Sequence, residues 1–385
     1  MQIPLIDPIL GQEEIAGAMR VMSSRNLSTG PEVLEFEAKF AEYIGVEYAV
    51  AVNSGTSALE LALKVANLKK GASVITPSFT FAAGPNSIFN NDNVPYFVDI
   101  KPDTYTMDVS KLLKFDSRGA ISPRAIMPMH AFGYPVDMVD LLKYSAQFKN
   151  RPIIIEDCAE AAGAFVDRKR VGSIGDMGIF SFTASKNMTT GEGGMITTNN
   201  SKYAQYLRQL RDHGFNRGYF VDASPWYRNS MFPGHNYRMP NILAAIGIEQ
   251  LKKLDDMNSK RIKNAGYLSR KLNNDIPSII TPQVMDRDST HVYQMYVINV
   301  QYVCAPPRDN IISQLRSAGI EASAHFDPPC HQHVAADNIF HICADMSVTN
   351  KVAQNVITLP MYPTLTEREI DYIVSTLKDV VEGDD

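Results

Sequence analysis

Cysteine is scarce in this chain. Cys158, Cys304, Cys330 and Cys343 are the only four in 385 residues, which excludes the disulfide framework that small secreted domains depend on. No apolar run approaches the roughly 20 residues needed to span a bilayer. Charge of neither sign accumulates: the net charge is −5 with no long run of either sign, so the basic stripe of a nucleic-acid surface is missing. The opening stretch MQIPLIDPILGQEE has neither the basic start nor the apolar core of a signal peptide, and a cytoplasmic location is expected. There is no internal repeat, low-complexity tract or Pro/Gly-rich linker. What is present is 45% hydrophobic and 21% charged, as in ordinary globular proteins. The length exceeds one ordinary core and suits two domains, one of them large.

The first part alternates short apolar runs with helical patterns. YAVAVN (48–53), SVITP (73–77), PYFVDI (95–100), AIMPMH (125–130), PIIIED (152–157) and GIFSF (178–182) read as strands. SGTSALELALKVAN (54–67), FTFAAGPNSIFN (79–90) and DMVDLLKYSAQF (137–148) read as helices. Strands separated by helices of this length imply crossover connections and a mostly parallel sheet, whose ligands bind beyond the carboxyl ends of the strands. After about residue 255 the pattern changes. Residues 241–272 read as a long helical connector, then HVYQMYVINV as a strand, PRDNIISQLRSAG as a helix, IEASAHF as a strand and TEREIDYIVSTLKDVVE as a closing helix. The expected division is a large domain over 1–255 and a small α/β domain over 256–385.

The residues that follow the strands are where chemistry is to be sought. NSGTSAL places Ser54, Gly55, Thr56 and Ser57 at a helix start, where unpaired N–H groups and small hydroxyls make an anion site; an ordinary helix cap is the plainer reading. TPSFTF places Phe79 and Phe81 after a strand, to cover a flat ring or to pack in the core. IIIEDCAEA ends an apolar strand on Glu156 and Asp157, with Glu160 close behind. Buried carboxylates require a partner, and a protonated ring nitrogen or a salt bridge would serve. Ser181 closes the next strand, and Lys186 follows among small hydroxyl residues in SFTASKNMTTGEGGMITT. A lysine in a dry pocket can form a Schiff base with an aldehyde. The order of anion-binding helix start, aromatic, acid, serine and lysine is what pyridoxal phosphate requires. Cys330, His331, His333, His341 and Cys343 invite a metal reading, but their spacing fits no common zinc module, and a polar loop explains them.

These segments, with NLSTGPEVLEFEAKFA, EDCAEAAGA, RDHGF, NYRMPNILAAIGIEQL and LPMYPTLT, resemble the DegT or StrS family of pyridoxal-phosphate sugar aminotransferases over nearly the whole chain. The resemblance implies a fold-type I α/β architecture, with a mostly parallel seven-stranded sheet sandwiched by helices and a smaller C-terminal α/β domain. It implies that Lys186 carries the cofactor, Asp157 pairs with its pyridine nitrogen, Phe81 stacks on its ring, and Gly55, Thr56 and Ser181 hold its phosphate. Glu160 stands where many relatives have a glutamine that contacts the ring's phenolic oxygen. Asn236 resembles an asparagine that reaches the phosphate of a neighbouring subunit, which implies a homodimer. His325 resembles a wall of the sugar pocket. Two departures, Thr183-Ala184-Ser185 in place of a common His-Pro pair and His235 in place of an aromatic, bear on that pocket.

The implied reaction moves an amino group from glutamate to a nucleotide-linked keto sugar. TTGEGG resembles the subgroup acting at C4 of 4-keto-6-deoxyhexoses, and EDCAEA with NYRM resembles perosamine-type enzymes. A 3-keto sugar or keto-inositol is the alternative acceptor, and a non-catalytic cofactor-binding regulator the alternative class. A dehydrating relative carries histidine where this chain has Lys186. An iron–sulfur subgroup requires a ligand motif that the four cysteines do not form. VGSIGDMG lacks the glycine spacing of a dinucleotide site.

Overall fold

Two helices precede the first strand. The computed structural model describes residues 1–116, 122–215, 229–285, 288–303, 306–333, 341–342 and 345–383. α1 (Gln12–Ser24) starts where Glu14 Oε2 accepts the Gly11 N–H at 2.7 Å. α2 (Pro31–Ile44) starts on proline and stops at Gly45, whose φ of +83° suits glycine. Then come β1 (Tyr48–Val52), α3 (Gly55–Val65), β2 (Ser73–Pro77), α4 (Ala83–Asn90), β3 (Val94–Val98), α5 (Val109–Asp116), β4 (Ala125–Ile126), α6 (Met138–Ser145) and β5 (Ile153–Asp157). A two-residue hairpin pair, β6 (Phe165–Val166) and β7 (Lys169–Arg170), leads to β8 (Met177–Ser181), β9 (Gly194–Thr198) and α7 (Ser201–Leu210). α8 (Asn241–Asp275) is followed by β10 (Tyr296–Asn299), α9 (Arg308–Ser317), β11 (His341–Ile342), α10 (Ser347–Asn355), β12 (Val356–Leu359) and α11 (Glu367–Glu382).

The main sheet has the order β1-β9-β8-β5-β4-β2-β3-β11. β9 alone runs against the others: it is antiparallel to β1 and β8, while the remaining pairings are parallel. The seven-stranded, mostly parallel sheet is thus present, and the short C-terminal β11 adds an eighth strand at its edge. Side chains alternate between its two faces, as strand geometry requires. Ala49, Ala51 and Phe180 face a core with Phe36 and Phe40 of α2 and Leu254 of α8. Val50, Val52 and Ile179 face another with Leu59 and Leu61 of α3 and Leu207 of α7. No helix among the described residues is long and apolar enough to cross a membrane.

α8 is continuous through residues 255 and 256. Its side chains up to Met257 belong to the sheet core. From Ala265 onwards they join a separate core with Tyr296, Ile298, Ile311, Ile357 and Ile370. Ile3 belongs to that second core and pairs with Ile320. We propose a boundary inside α8, with the first few residues assigned to the smaller unit.

Three sequence expectations change. IEASAHF forms no strand with any of the described residues: it makes only single-residue bridges, Ile320 to Ile3 and Ser323 to Thr358 of β12. The strand expected over 291–300 begins only at Tyr296, since Tyr293 has a left-handed φ of +45° that breaks the extended run. Residues 79–82 stay outside α4, which starts at Ala83.

Candidate active site

The parallel strands deliver their carboxyl ends to one edge of the sheet. Across that edge the ends of β1, β8, β5, β4 and β2 and the residues just beyond them supply Gly55, Ser181, Asp157, Met129 and Phe81 in spatial order. Between β8 and the reversed β9, the chain must double back, and Lys186 sits in that reversal. These residues line one cavity of about 390 Å³, together with Thr56, Glu160 and His325.

The rim next to β1 is an anion cradle. Ser54 caps α3 by accepting the Ser57 N–H at 3.1 Å, and its hydroxyl lies 2.9 Å from that of Ser57. The helix-capping reading therefore holds for Ser54 and Ser57. Gly55 and Thr56 keep first-turn N–H groups without protein acceptors among the described residues, and so does the Ser181 hydroxyl. Gly55 must be glycine for this approach, since a Cβ there would lie 2.8 Å from Ser181 Cβ. A Cβ on Gly194 would run into the Ser54 carbonyl, so β9 reaches its neighbour only through glycine. Gly191 turns the lysine loop at φ +84°.

Asp157 lies on the floor, 6% exposed. Its Oδ1 accepts the Ala159 N–H at 3.1 Å, and no cationic side chain among the described residues pairs with it. Burial pushes its pKa up to about 6, and the nearby Glu160 carboxylate adds to the rise. A buried carboxylate facing a cavity without a counter-cation is what a protonated ring nitrogen requires. Glu160, also buried, contacts Lys186 Nζ at 3.3 Å through Oε1 and accepts the Phe132 N–H at 2.8 Å through Oε2. His325 bonds Thr358 Oγ1 at 2.9 Å through Nδ1, and burial lowers its pKa.

The structure separates residues that the sequence left together. Phe81 stands in the cavity and is 64% exposed, whereas Phe79 is fully buried against Tyr105, Phe132 and Phe326. Glu156 is structural. It accepts N–H groups from Gly172, Ile174 and Gly175 and lies 3.3 Å from His130 Nε2. With Cys158 these two form the one potential ligand cluster among the described residues, and its donors are already committed. Cys330 points at the Thr80 carbonyl, His331 at Ser78 and His333 at the Pro328 carbonyl. Cys304, Cys343 and the side chain of His341 lie outside the described residues.

Asn236 does not line the cavity. It is exposed and bridges to Asp212, which with Arg208 and Arg238 lines a second and larger cavity of about 980 Å³. The two cavities share no lining residue, and Lys186, Asp157 and Glu160 line the smaller one. Sequence reasoning did not single out Met129, Met295, Phe326 and Glu192, which line the smaller cavity. Glu192 accepts the Thr183 hydroxyl at 3.2 Å, and its place in the glycine turn was the only signal for it.

Residues 8–378 match the model of the DegT/DnrJ/EryC1/StrS aminotransferase family, and the chain belongs to that family. It is 35% identical to the spore coat polysaccharide biosynthesis protein SpsC of Bacillus subtilis, covering 100% of this chain and 98% of that protein. It is 37% identical to a GDP-perosamine synthase of Caulobacter vibrioides, covering 92% and 91%. Its structure superposes on the PMP-form of the putative sugar aminotransferase Spr1654 from Streptococcus pneumoniae with a TM-score of 0.91, at 27% identity and 99% coverage of both chains. The protein is a sugar aminotransferase whose cofactor is pyridoxal phosphate.

Proposed function

We propose that this enzyme transfers an amino group from glutamate to C4 of a nucleotide-linked 4-keto-6-deoxyhexose, and that it works as a homodimer in the cytoplasm. The observation that carries the reading is the convergence of Lys186, Asp157 and Glu160 with the Gly55–Thr56–Ser181 cradle in one cavity. The GDP-perosamine synthase similarity supports the sugar class.

Gly55 and Thr56 N–H groups and the Ser181 hydroxyl hold the phosphate, Phe81 covers the ring, and Asp157 keeps a proton on its nitrogen. When bound, pyridoxal phosphate supplies an electron sink for negative charge developing at the carbon that carries the amino group. Lys186 Nζ takes the proton from that carbon of glutamate and, in the return half of the cycle, gives one to C4 of the sugar. Glu160, 3.3 Å away, orients Nζ for both transfers. His325 is held through Nδ1 by Thr358, and its remaining ring nitrogen serves the sugar.

A second copy of the chain is expected to bring Asn236 to the phosphate. The exposed Ile15, Met19 and Met22 form an apolar stripe on α1, and Leu10, Leu27 and Leu34 are exposed as well, which suits a self-association surface. The testing experiment is a visible spectrum of the cofactor-loaded enzyme before and after glutamate, followed by a screen of keto sugars. A band that bleaches with glutamate, and C4 amination in the screen, are the expected results. Lys186→Ala is expected to abolish both while leaving the fold intact. A band indifferent to glutamate, or preference for a 3-keto sugar, would overturn the donor or the regiochemistry respectively.

A further inference from the structure

The loop that carries Lys186 makes few bonds of its own near the lysine. Lys186 N–H reaches the Thr183 carbonyl at 3.0 Å, and Thr190 N–H reaches the Phe182 carbonyl at 2.9 Å. The carbonyls of the residues on either side of the lysine are gripped from outside the sheet. Gln294 Nε2 donates to the Ser185 carbonyl at 2.9 Å, and Arg261 Nη1 donates to the Asn187 carbonyl at 3.3 Å. Asn187 itself is held by Asn258 Oδ1 at 2.7 Å and the Val292 carbonyl at 3.2 Å, and Thr189 N–H by Gln250 Oε1 at 3.2 Å. Gln250, Asn258, Arg261 and Gln294 are all at least 96% buried.

Such a network is a poor way to fill an interior. Arg261 is a buried cation with no carboxylate partner among the described residues, and its Nε has no protein acceptor. Asn187 Oδ1 and Gln294 Oε1 are left over as well. Each unmet group costs stability that an apolar side chain of similar size would not. What these side chains provide is a fixed position for two carbonyls, with Lys186 between them.

We propose that Arg261 and Gln294 are positioning residues, which clamp the carbonyls of Asn187 and Ser185 so that the amine of Lys186 between them meets Glu160 and the reacting carbon. Arg261 lies in the part of α8 between the two cores, and Gln294 in the segment leading into β10. The lysine is therefore aimed by elements of the C-terminal half. This rests on the reading of Lys186 as the reactive lysine.

The test uses Gln294→Met and Arg261→Met, with Arg261→Lys as the variant that keeps the charge and a donor. The first readout needs no cofactor: the rate at which an amine-reactive reagent modifies Lys186 in the cofactor-free protein, followed by peptide mass spectrometry. A displaced amine is expected to react at least about threefold faster or slower than in the wild type. In the loaded enzyme kcat is expected to fall by about 10- to 100-fold, the usual scale for misplacing a reacting group by an ångström, with the sugar KM changed far less. Arg261→Lys should recover part of the loss, because it can still donate to the Asn187 carbonyl. Wild-type labelling rates and kcat in the folded variants, or a lower melting temperature with both unchanged, would overturn the proposal. Failure of the underlying reading is distinct: cofactor and borohydride would then leave Lys186 of the wild type unmodified.

Discussion

Removing the charge of Asp157 is expected to stabilise the cofactor-free protein while disabling the enzyme. The carboxyl group is buried on the cavity floor, and its pKa is pushed up to about 6 from an ordinary 3.8, first by burial and then by the charge of Glu160. Two pKa units correspond to about 3 kcal/mol. The folded chain holds this proton more tightly than the unfolded chain does. Below about pH 4 both states are protonated and Asp157 costs nothing. Between about pH 4 and 6 the unfolded state releases its proton first, so stability falls as pH rises. Above about pH 6 the full penalty of about 3 kcal/mol is in force. Asparagine cannot ionise, and its oxygen can still accept the Ala159 N–H that Asp157 Oδ1 accepts at 3.1 Å.

Asp157→Asn should therefore be up to about 3 kcal/mol more stable than wild type at pH 7 without cofactor, and no more stable near pH 4. Urea unfolding of the two cofactor-free proteins from pH 4.5 to 7.5 checks this, with the gap in midpoint opening as pH rises. Saturating cofactor should reverse the order, because a ring cation beside Asp157 removes the burial cost and its binding stabilises the wild type. Activity should fall by about 100-fold or more, as when a preorganised charge partner is lost. Equal unfolding midpoints throughout would refute the reasoning. So would a gap of the same size at every pH, since that reports packing and not charge.

Gly55→Ala puts a methyl group 2.8 Å from Ser181 Cβ; the resulting shift, worth about 1–3 kcal/mol, should weaken cofactor binding by about tenfold or more in an absorbance titration. Glu160→Gln keeps an oxygen for the Phe132 N–H but removes the anion 3.3 Å from Lys186 Nζ. The pH midpoint of the bound cofactor's visible band should then fall, by about one unit. Asn236→Ala and Lys186→Ala should each be inactive alone. If the site is shared, refolding them together should restore roughly a quarter of wild-type activity, because half of the dimers are hybrids with one intact site each.

The strands and the loops that follow them were legible because each rests on a local rule. Apolar runs of five residues mark the buried strands, and parallel pairing puts their ends together, so Gly55, Asp157, Ser181 and Lys186 were accessible to reasoning from order alone. Phe79 and Phe81 were not separable, since both follow β2 and only the path of residues 79–82 buries one and exposes the other. IEASAHF alternates like a strand yet pairs at single residues, because alternation reports a face and says nothing of a partner.

The clamp on Lys186 was illegible for a different reason. A side chain that bonds a backbone carbonyl needs no complementary residue type, so nothing at 185 or 187 announces Gln294 or Arg261. The trace lies instead on α8. Gln250, Asn258 and Arg261 are buried on the same helix as Leu251, Leu254, Met257 and Ala265. Polar residues within an apolar face must find partners or weaken the fold. Here the loop that holds the lysine supplies one partner to each of them, while the Gln250 and Asn258 amide N–H groups go to the Ile9 carbonyl, Glu14 and the Ala162 carbonyl. The departures from helical patterning in α8 thus serve two neighbours at once: the loop that holds the lysine, reached by all three side chains, and the segments packed against the helix, reached by Gln250 and Asn258.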